Sequence, residues 1–339
     1  MRLRDFPGDR MSKLTAALMI SATILVVGAA SANAAETKIV FGTNWLAQAE
    51  HGGYYQAKAE GYYDAAGLDV SIKMGGPQVN TAQLLITGAL DFAMISNSFI
   101  PINMVKQNIP YVAVASLFQK DPQVLMAHPE LGLKTLGDIK GRPVAISTDA
   151  MDTYWKFLQV KYHFTPDQIR PYAFDVAPFL VNKSLIQQGY LTNEPFRVME
   201  NGVKPQVFLL ADYGYTSYSE LLMCSKKMVQ EHPDIVQKFV DASIKGYYTF
   251  LHGPHDKAMA LIKQQNPDYT DKAASDAIGA MEKYGLLESG DALKLGIGAM
   301  TDARWKDFFD TMVEAKVYSP DLDYKAAYTL QFVNKKVGM

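Results

Sequence analysis

The chain has 339 residues, 48% of them hydrophobic and 20% charged, with a formal net charge of −2. That is ordinary globular composition, and the length suggests two domains or lobes. There is no basic excess to hold nucleic acid and no run of like charge, and near-average glycine and proline usage leaves no long disordered tract.

The N-terminal segment reads as an export signal. From Met11, "MSKLTAALMISATILVVGAASANAAE" has a lysine, an apolar stretch and then Ala32-Asn33-Ala34, an A-x-A cleavage pattern. Cleavage is expected between Ala34 and Ala35, which removes residues 1–34, and Met11 is an alternative start to Met1. The competing reading is a membrane anchor. The stretch from Leu14 to Ala30 falls short of the ~20 residues a span needs, and Thr15, Ser21 and Thr23 interrupt it. One cysteine, Cys224, allows no disulfide within the chain, and its setting in "ELLMCS" suits a buried apolar residue. An exported, disulfide-free chain fits a bacterial periplasm.

The remaining sequence alternates strand and helix signals. Lys38–Gly42 reads as a buried strand, and Gly52–Glu60 as a helix stopped by Gly61. The alternation of Leu68, Val70 and Ile72 marks a second strand. Asn80 or Thr81 caps a helix over "TAQLLITGA". "LDFAMI" is a strand, "FIPINMVKQN" a short helix ended by Pro110, and "YVAVASLF" a strand. After the polar break "QKDPQ", "VLMAH" resumes extended. "PVAIS" is a strand, and Asp149 or Asp152 caps a helix over "TYWKFLQVKYH". "IRPYAF" is a strand, "PFLVNKSLIQQ" a helix, "YLTNEP" a strand end and "VFLLADYG" a strand. Beyond Ser217 the chain is mainly helical, with a long helix behind Pro233 and others near 254–265, 271–284, 301–315 and 323–333. The pattern is α/β with mostly parallel pairing.

In open α/β sheets, ligands sit beyond the carboxyl ends of strands. "TNW", "SNS", "STDAMD" and "LTNEP" are polar segments at such ends, which points to an interlobe cleft. They supply the candidate ligand contacts Asn44, Trp45, Ser96, Asn97, Asp149, Tyr190, Asn193 and Glu194, with His51 just beyond the first. Trp45 offers a stacking face and one N–H, or else fills the core. His51 can donate or accept, or cap the helix that follows. Asn97 can serve a ligand edge and a helix N-cap together. Glu194 would accept N–H groups and disfavour an anion, or else is a solvated charge. Tyr54, Tyr55, Tyr62 and Tyr63 cannot all face one cleft, so most are packing residues. The histidines at 51, 128, 163, 232, 252 and 255 lack zinc-ligand spacing, and no P-loop, G-x-S-x-G or G-x-G-x-x-G occurs. No catalytic residue, metal site or cofactor is expected.

"NWLAQAEHGGYYQAKAEGYYDAAGLDV", "TAQLLITGALDFAMI", "TLGDIKGRPVAIS", "YLTNEP" and "HPDIVQKFVDASIKGY" together resemble the solute-binding proteins of ABC importers. The subgroup is the one handling thiamine-pyrimidine precursors, sulfonates and nitrate. Asn44-Trp45 with His51 looks most like the thiamine-pyrimidine branch. The resemblance implies a type II periplasmic binding fold: two α/β lobes with a ligand cleft between them. Lobe 1 is then 35–120 plus 217–339, and lobe 2 is 121–216, with crossings near 118–124 and 213–220. It implies a small-molecule ligand such as formylaminopyrimidine, delivery to a membrane permease, and a monomer. Trp45 would stack on the ring, Asn97 and Glu194 would read its N–H edge, and His51 would shape the pocket. Alternatives keep the fold and change the ligand to riboflavin or to a sulfonate, taurine or nitrate, and a more remote one is an exported enzyme acting on a pyrimidine. An anion would be held by backbone N–H groups after "MGGP" or "IST". The fungal thiamine-pyrimidine synthase, an enzyme of the same superfamily, consumes a histidine. Here Phe99 stands at that place, "TDAMD" replaces its phosphate loop, and its cysteine cluster is reduced to Cys224.

Overall fold

A computed structural model describes residues 36–339. The expected signal segment, 1–34, lies outside the described residues. Strands β1 (Thr37–Gly42), β2 (Leu68–Lys73), β3 (Phe92–Asn97), β4 (Tyr111–Phe118) and β10 (Ser219–Ser225) form one sheet, in the order β2-β1-β3-β10-β4. Strands β5 (Gln123–Ala127), β6 (Val144–Ile146), β7 (Ile169–Pro171), β8 (Ile186–Tyr190) and β9 (Gln206–Leu209) form the other, in the order β7-β6-β8-β5-β9. β1 runs parallel to β2 and β3, and β6 parallel to β7 and β8. The strand entering from the other lobe runs antiparallel in each case: β10 against β3 and β4, and β5 against β8 and β9. The chain passes between sheets through residues 119–122 and returns through 210–218. This is the α/β, two-lobed architecture expected from the sequence. No described helix is long and apolar enough to cross a membrane.

Helix Gly52–Ala59 lies against helix Pro233–His252 at backbone contact. A Cβ on Gly246 would sit 2.0 Å from the Gly53 carbonyl oxygen, and one on Gly53 would sit 2.1 Å from the Tyr247 ring. Those glycines let the pair close over β1 and β3. Tyr54, Tyr55 and Tyr63 fill that core. Phe239 stacks on Phe92 at 4.4 Å and on Tyr63 at 5.2 Å. Tyr62 lies at the surface under the Lys245 ammonium, 4.1 Å from its ring centre. Phe99 is also a core ring, edge-on to Phe308 at 5.0 Å. Cys224 is buried in β10.

Several local expectations need correction. "PFLVNKSLIQQ" is not one helix: helix Ala177–Val181 stops, and Ile186–Gln188 opens β8. The Asn182 side chain accepts from the Ser184 N–H at 3.0 Å, and that local turn replaces the next helical bond. "IRPYAF" leaves the sheet after Pro171, and Phe174 adopts a left-handed φ of 59°. Asn80, not Thr81, caps its helix, accepting from Gln83 N–H at 2.9 Å. Neither Asp149 nor Asp152 caps helix Tyr154–Tyr162 through its side chain; its N-cap is Thr153. Of 323–333, only Tyr324–Ala327 is helical, as a short 3₁₀ turn.

Candidate functional site

The carboxyl ends of β1, β3 and β8 meet the start of β10 at the junction of the two sheets. The loop after β1 is fixed first. Thr43 Oγ1 donates to the Trp45 carbonyl at 2.8 Å, and Thr81 Oγ1 donates to the Thr43 carbonyl at 3.0 Å. Gly75 N–H reaches both the Trp45 carbonyl, at 3.1 Å, and Thr43 Oγ1, at 3.2 Å. A Cβ at Gly75 would lie 2.5 Å from the Thr43 carbonyl oxygen, so only glycine lets the two loops meet.

Asn44 is the first hub. Its Nδ2 donates to Glu220 Oε2 at 2.9 Å and to Ser96 Oγ at 3.2 Å. Its Oδ1 lies 3.0 Å from His51 Nε2. His51 Nδ1 accepts from the Gln48 N–H at 3.3 Å, so Nε2 carries the proton and donates to Asn44. Burial pushes the His51 pKa down to about 3, which keeps the ring neutral. Both His51 ring nitrogens and both side-chain polar atoms of Asn44 are therefore engaged within the first lobe.

Three contacts join the lobes here. Tyr190, the last residue of β8, donates its hydroxyl to Glu220 Oε1. Thr192 donates its hydroxyl to Glu50 Oε1. Trp45 meets Phe174 of the second lobe with ring centres 5.2 Å apart, and Phe174 meets Tyr172 at 5.1 Å. Tyr172 in turn donates to Glu194 Oε1 at 3.0 Å, and the Tyr190 N–H donates to Glu194 Oε2 at 2.7 Å. An aromatic mouth thus stands over an acidic floor.

That floor is the site's electrostatic signature. Glu50, Glu194, Glu220 and Asp121 are only 4%, 8%, 2% and 2% exposed. Burial raises the pKa of Glu50 to about 7 and of Asp121 to about 7. It raises Glu220 to about 8, with Glu50 and Asp121 adding repulsion. The Arg304 guanidinium lowers Asp121 only in part. Its own N–H groups go to the carbonyls of Gln119, Thr216 and Ser217, one on the outgoing crossing and two on the return. Glu220 also holds a left-handed φ of 50°, an uncommon conformation for a non-glycine residue.

The remaining candidates fall at the edges. Ser96 accepts from Asn44. Asn97 Oδ1 accepts the Phe99 N–H at 3.1 Å. Asn193 precedes helix Glu194–Glu200 as its N-cap, without a side-chain cap bond. Asp149 is exposed in the first turn of helix Thr148–Met151, and its carbonyl accepts from Thr153. The structure thus brings together Asn44, Trp45, His51, Ser96, Tyr190 and Glu194, and leaves Asp149 outside their network. Glu50, Glu220, Tyr172, Phe174 and Thr192 belong to that network and were not singled out from sequence. The signal for Glu220 was available: a carboxylate at a strand terminus, as for Glu194. Among the described residues no cluster of histidine, cysteine and carboxylates is arranged to hold a metal ion.

The chain is similar to known binding proteins in sequence and in fold. A riboflavin-binding protein, RibY, of Chloroflexus aurantiacus is 24% identical over 305 residues, covering 87% of this chain and 86% of that protein. The formylaminopyrimidine-binding protein of Halalkalibacterium halodurans is 23% identical over 231 residues, covering 66% of this chain and 69% of that protein. The alkanesulfonate-binding protein SsuA of Xanthomonas axonopodis pv. citri, solved with MOPS bound, superposes with a TM-score of 0.61 at 12% identity, covering 87% of this chain and 99% of that one. At that identity the likeness speaks for the fold alone, which is that of periplasmic binding proteins. Residues 48–257, which carry His51, β2 to β10 and all four carboxylates of the acidic floor, match the family model described as NMT1/THI5 like, and the chain belongs to that family.

Proposed function

We propose that this protein is the periplasmic substrate-binding component of an ABC importer, that it captures a small planar nitrogen heterocycle, and that it hands it to a membrane permease. The observation that carries this reading is the pairing of an aromatic mouth with two buried carboxylates, Glu50 and Glu220, that have no cationic partner among the described residues. A ring stacks where Trp45 and Phe174 meet, and ligand N–H groups offset the charge that closure buries. The lobes, 35–120 with 217–339 and 121–216, close about the two crossings. Closing without a donor-bearing ligand buries carboxylates at a cost, so the ligand favours the closed form that a permease would recognise.

An anion fits poorly. After "MGGP", the Val79 N–H donates to the Gly76 carbonyl at 2.9 Å. After "IST", the Ala150 N–H donates to Ser147 Oγ at 3.3 Å. Within the heterocycles, a thiamine-pyrimidine precursor such as formylaminopyrimidine is the first choice, on the Asn44-Trp45 and His51 pattern. Riboflavin is the second, favoured by the longer span shared with RibY. The protein is taken to act as a monomer and as a carrier without turnover. A thermal-shift panel of formylaminopyrimidine, hydroxymethylpyrimidine, riboflavin, taurine, alkanesulfonates and nitrate tests this. Ligand at ~1,000 times its dissociation constant adds about 4 kcal/mol. A shift with a heterocycle is expected; a shift with anions alone overturns the reading.

A further inference from the structure

We infer that Glu50 is the carboxylate that accepts an N–H from the bound ligand, so that Glu50, not Glu194, sets the cleft's requirement for a donor-bearing edge. This rests on the heterocycle reading above and deepens it.

The argument is an accounting of oxygens. Glu194 has a donor on each oxygen, Tyr172 on Oε1 and the Tyr190 N–H on Oε2, both from its own lobe. Glu220 likewise has a donor on each oxygen, Tyr190 on Oε1 and Asn44 on Oε2. Glu50 differs. Thr192 reaches across the cleft to Oε1, which places this carboxylate at the seam between the lobes. Its Oε2 is buried and has no hydrogen-bond partner among the described residues. A buried carboxylate oxygen without a donor is costly, and the cost falls when a ligand N–H fills the place.

The surroundings fix the sign of what it takes. The titratable groups around Glu50 are the carboxyls of Glu194 and Glu220 and the phenols of Tyr247 and Tyr269, which burial keeps un-ionised. None is a cation, and the adjacent His51 is held neutral. An anion set against Oε2 would meet no cation among the described residues to hold it, whereas an amino group, a ring N–H or a protonated ring nitrogen favours the ionised carboxylate and finds an acceptor there. Glu194 then acts as a positioning residue, holding Tyr172 beneath the aromatic mouth.

The test uses two ligand pairs that differ in one donor. Hydroxymethyl-aminopyrimidine is compared with its dimethylamino counterpart, and riboflavin with its N3-methylated form. Affinities are measured by calorimetry for the parent chain, Glu50→Met and Glu194→Gln. The added methyl bulk is common to all three chains and cancels in the ratios. The parent is expected to prefer the N–H-bearing member of a pair at least tenfold. That preference falls at least tenfold in Glu50→Met and persists in Glu194→Gln. The parent pairs alone keep the claim open to refutation if a variant misfolds, and Glu50→Gln is the milder second variant. Equal affinities in the parent, or an undiminished preference in Glu50→Met, overturn the assignment and leave the heterocycle reading intact. If no heterocycle binds the parent, both fall.

Discussion

Replacing Glu50 by glutamine separates the electrostatic cost of the closed cleft from its packing. The change keeps the side-chain shape and the contact with Thr192, and removes only the ionisable group. Burial raises the Glu50 pKa from 4.5 to about 7. The folded chain therefore holds this proton more tightly than the unfolded chain. Stability from Glu50 is complete below pH 4.5 and is lost as pH rises through about 7. At about 1.4 kcal/mol per tenfold change in proton affinity, the parent gives up about 3 kcal/mol by pH 8 that the variant keeps. Cleft opening rehydrates Glu50 without unfolding, so about 3 kcal/mol is the ceiling and 1–2 kcal/mol is the expected gain. For a chain this long that is roughly 2–4 °C in Tm. The His51 contribution has the opposite sign: with its pKa pushed down to about 3, it costs stability as pH falls below 6.5. It is common to both chains and cancels in their difference. Scanning calorimetry without ligand should find Glu50→Gln more stable than the parent at pH 8 and level with it at pH 5. An equal offset at both pH values, or a less stable variant at pH 8, would refute the reasoning.

Other substitutions read different parts of the structure. Trp45→Ala and Phe174→Ala each remove one ring of the mouth. An aromatic pair contributes about 0.5–1.5 kcal/mol beyond its buried area, so ligand affinity measured by titration should fall about tenfold while Tm moves little. Arg304→Ala frees the carbonyls of Gln119, Thr216 and Ser217 on both crossings. A loss of about 2–4 kcal/mol is expected in urea unfolding, and Arg304→Lys should not restore it, since an ammonium lacks the planar fork. Gly246→Ala drives a methyl to within 2.0 Å of the Gly53 carbonyl oxygen. Helices 52–59 and 233–252 must then separate, and circular dichroism melts should show a loss of about 3 kcal/mol or more, or no folded protein.

Much of this was legible in the sequence because local chemistry and tertiary structure agree there. The alternation in "LDVSIK" becomes β2 with its apolar residues inward. The spacing after Pro233 becomes a helix whose buried face includes Val236, Phe239, Val240, Ile244 and Tyr247. Polar strand ends placed Trp45 and Tyr190 near one another although 145 positions separate them in the chain. What failed had identifiable causes. The apolar spacing of "PFLVNKSLIQQ" suits a helix, and the Asn182 turn that breaks it depends on a side-chain bond that competes with the helix. Phe174 looked like a strand residue, but Pro171 ends the ladder and a left-handed φ turns the ring toward Trp45. Glu50 reads as an ordinary acid before a helix. Its partner across the cleft is Thr192, which is distant in sequence and comes from the other lobe. Cross-lobe contacts of this kind leave no periodic trace.

The most direct test of the central claim is an equilibrium fluorescence titration of the parent chain and Trp45→Ala with hydroxymethyl-aminopyrimidine, riboflavin and taurine. The account predicts saturable binding of a heterocycle to the parent, binding at least tenfold weaker to Trp45→Ala, and no saturation with taurine. Saturable taurine binding that Trp45→Ala leaves unchanged, with no heterocycle bound, would contradict it.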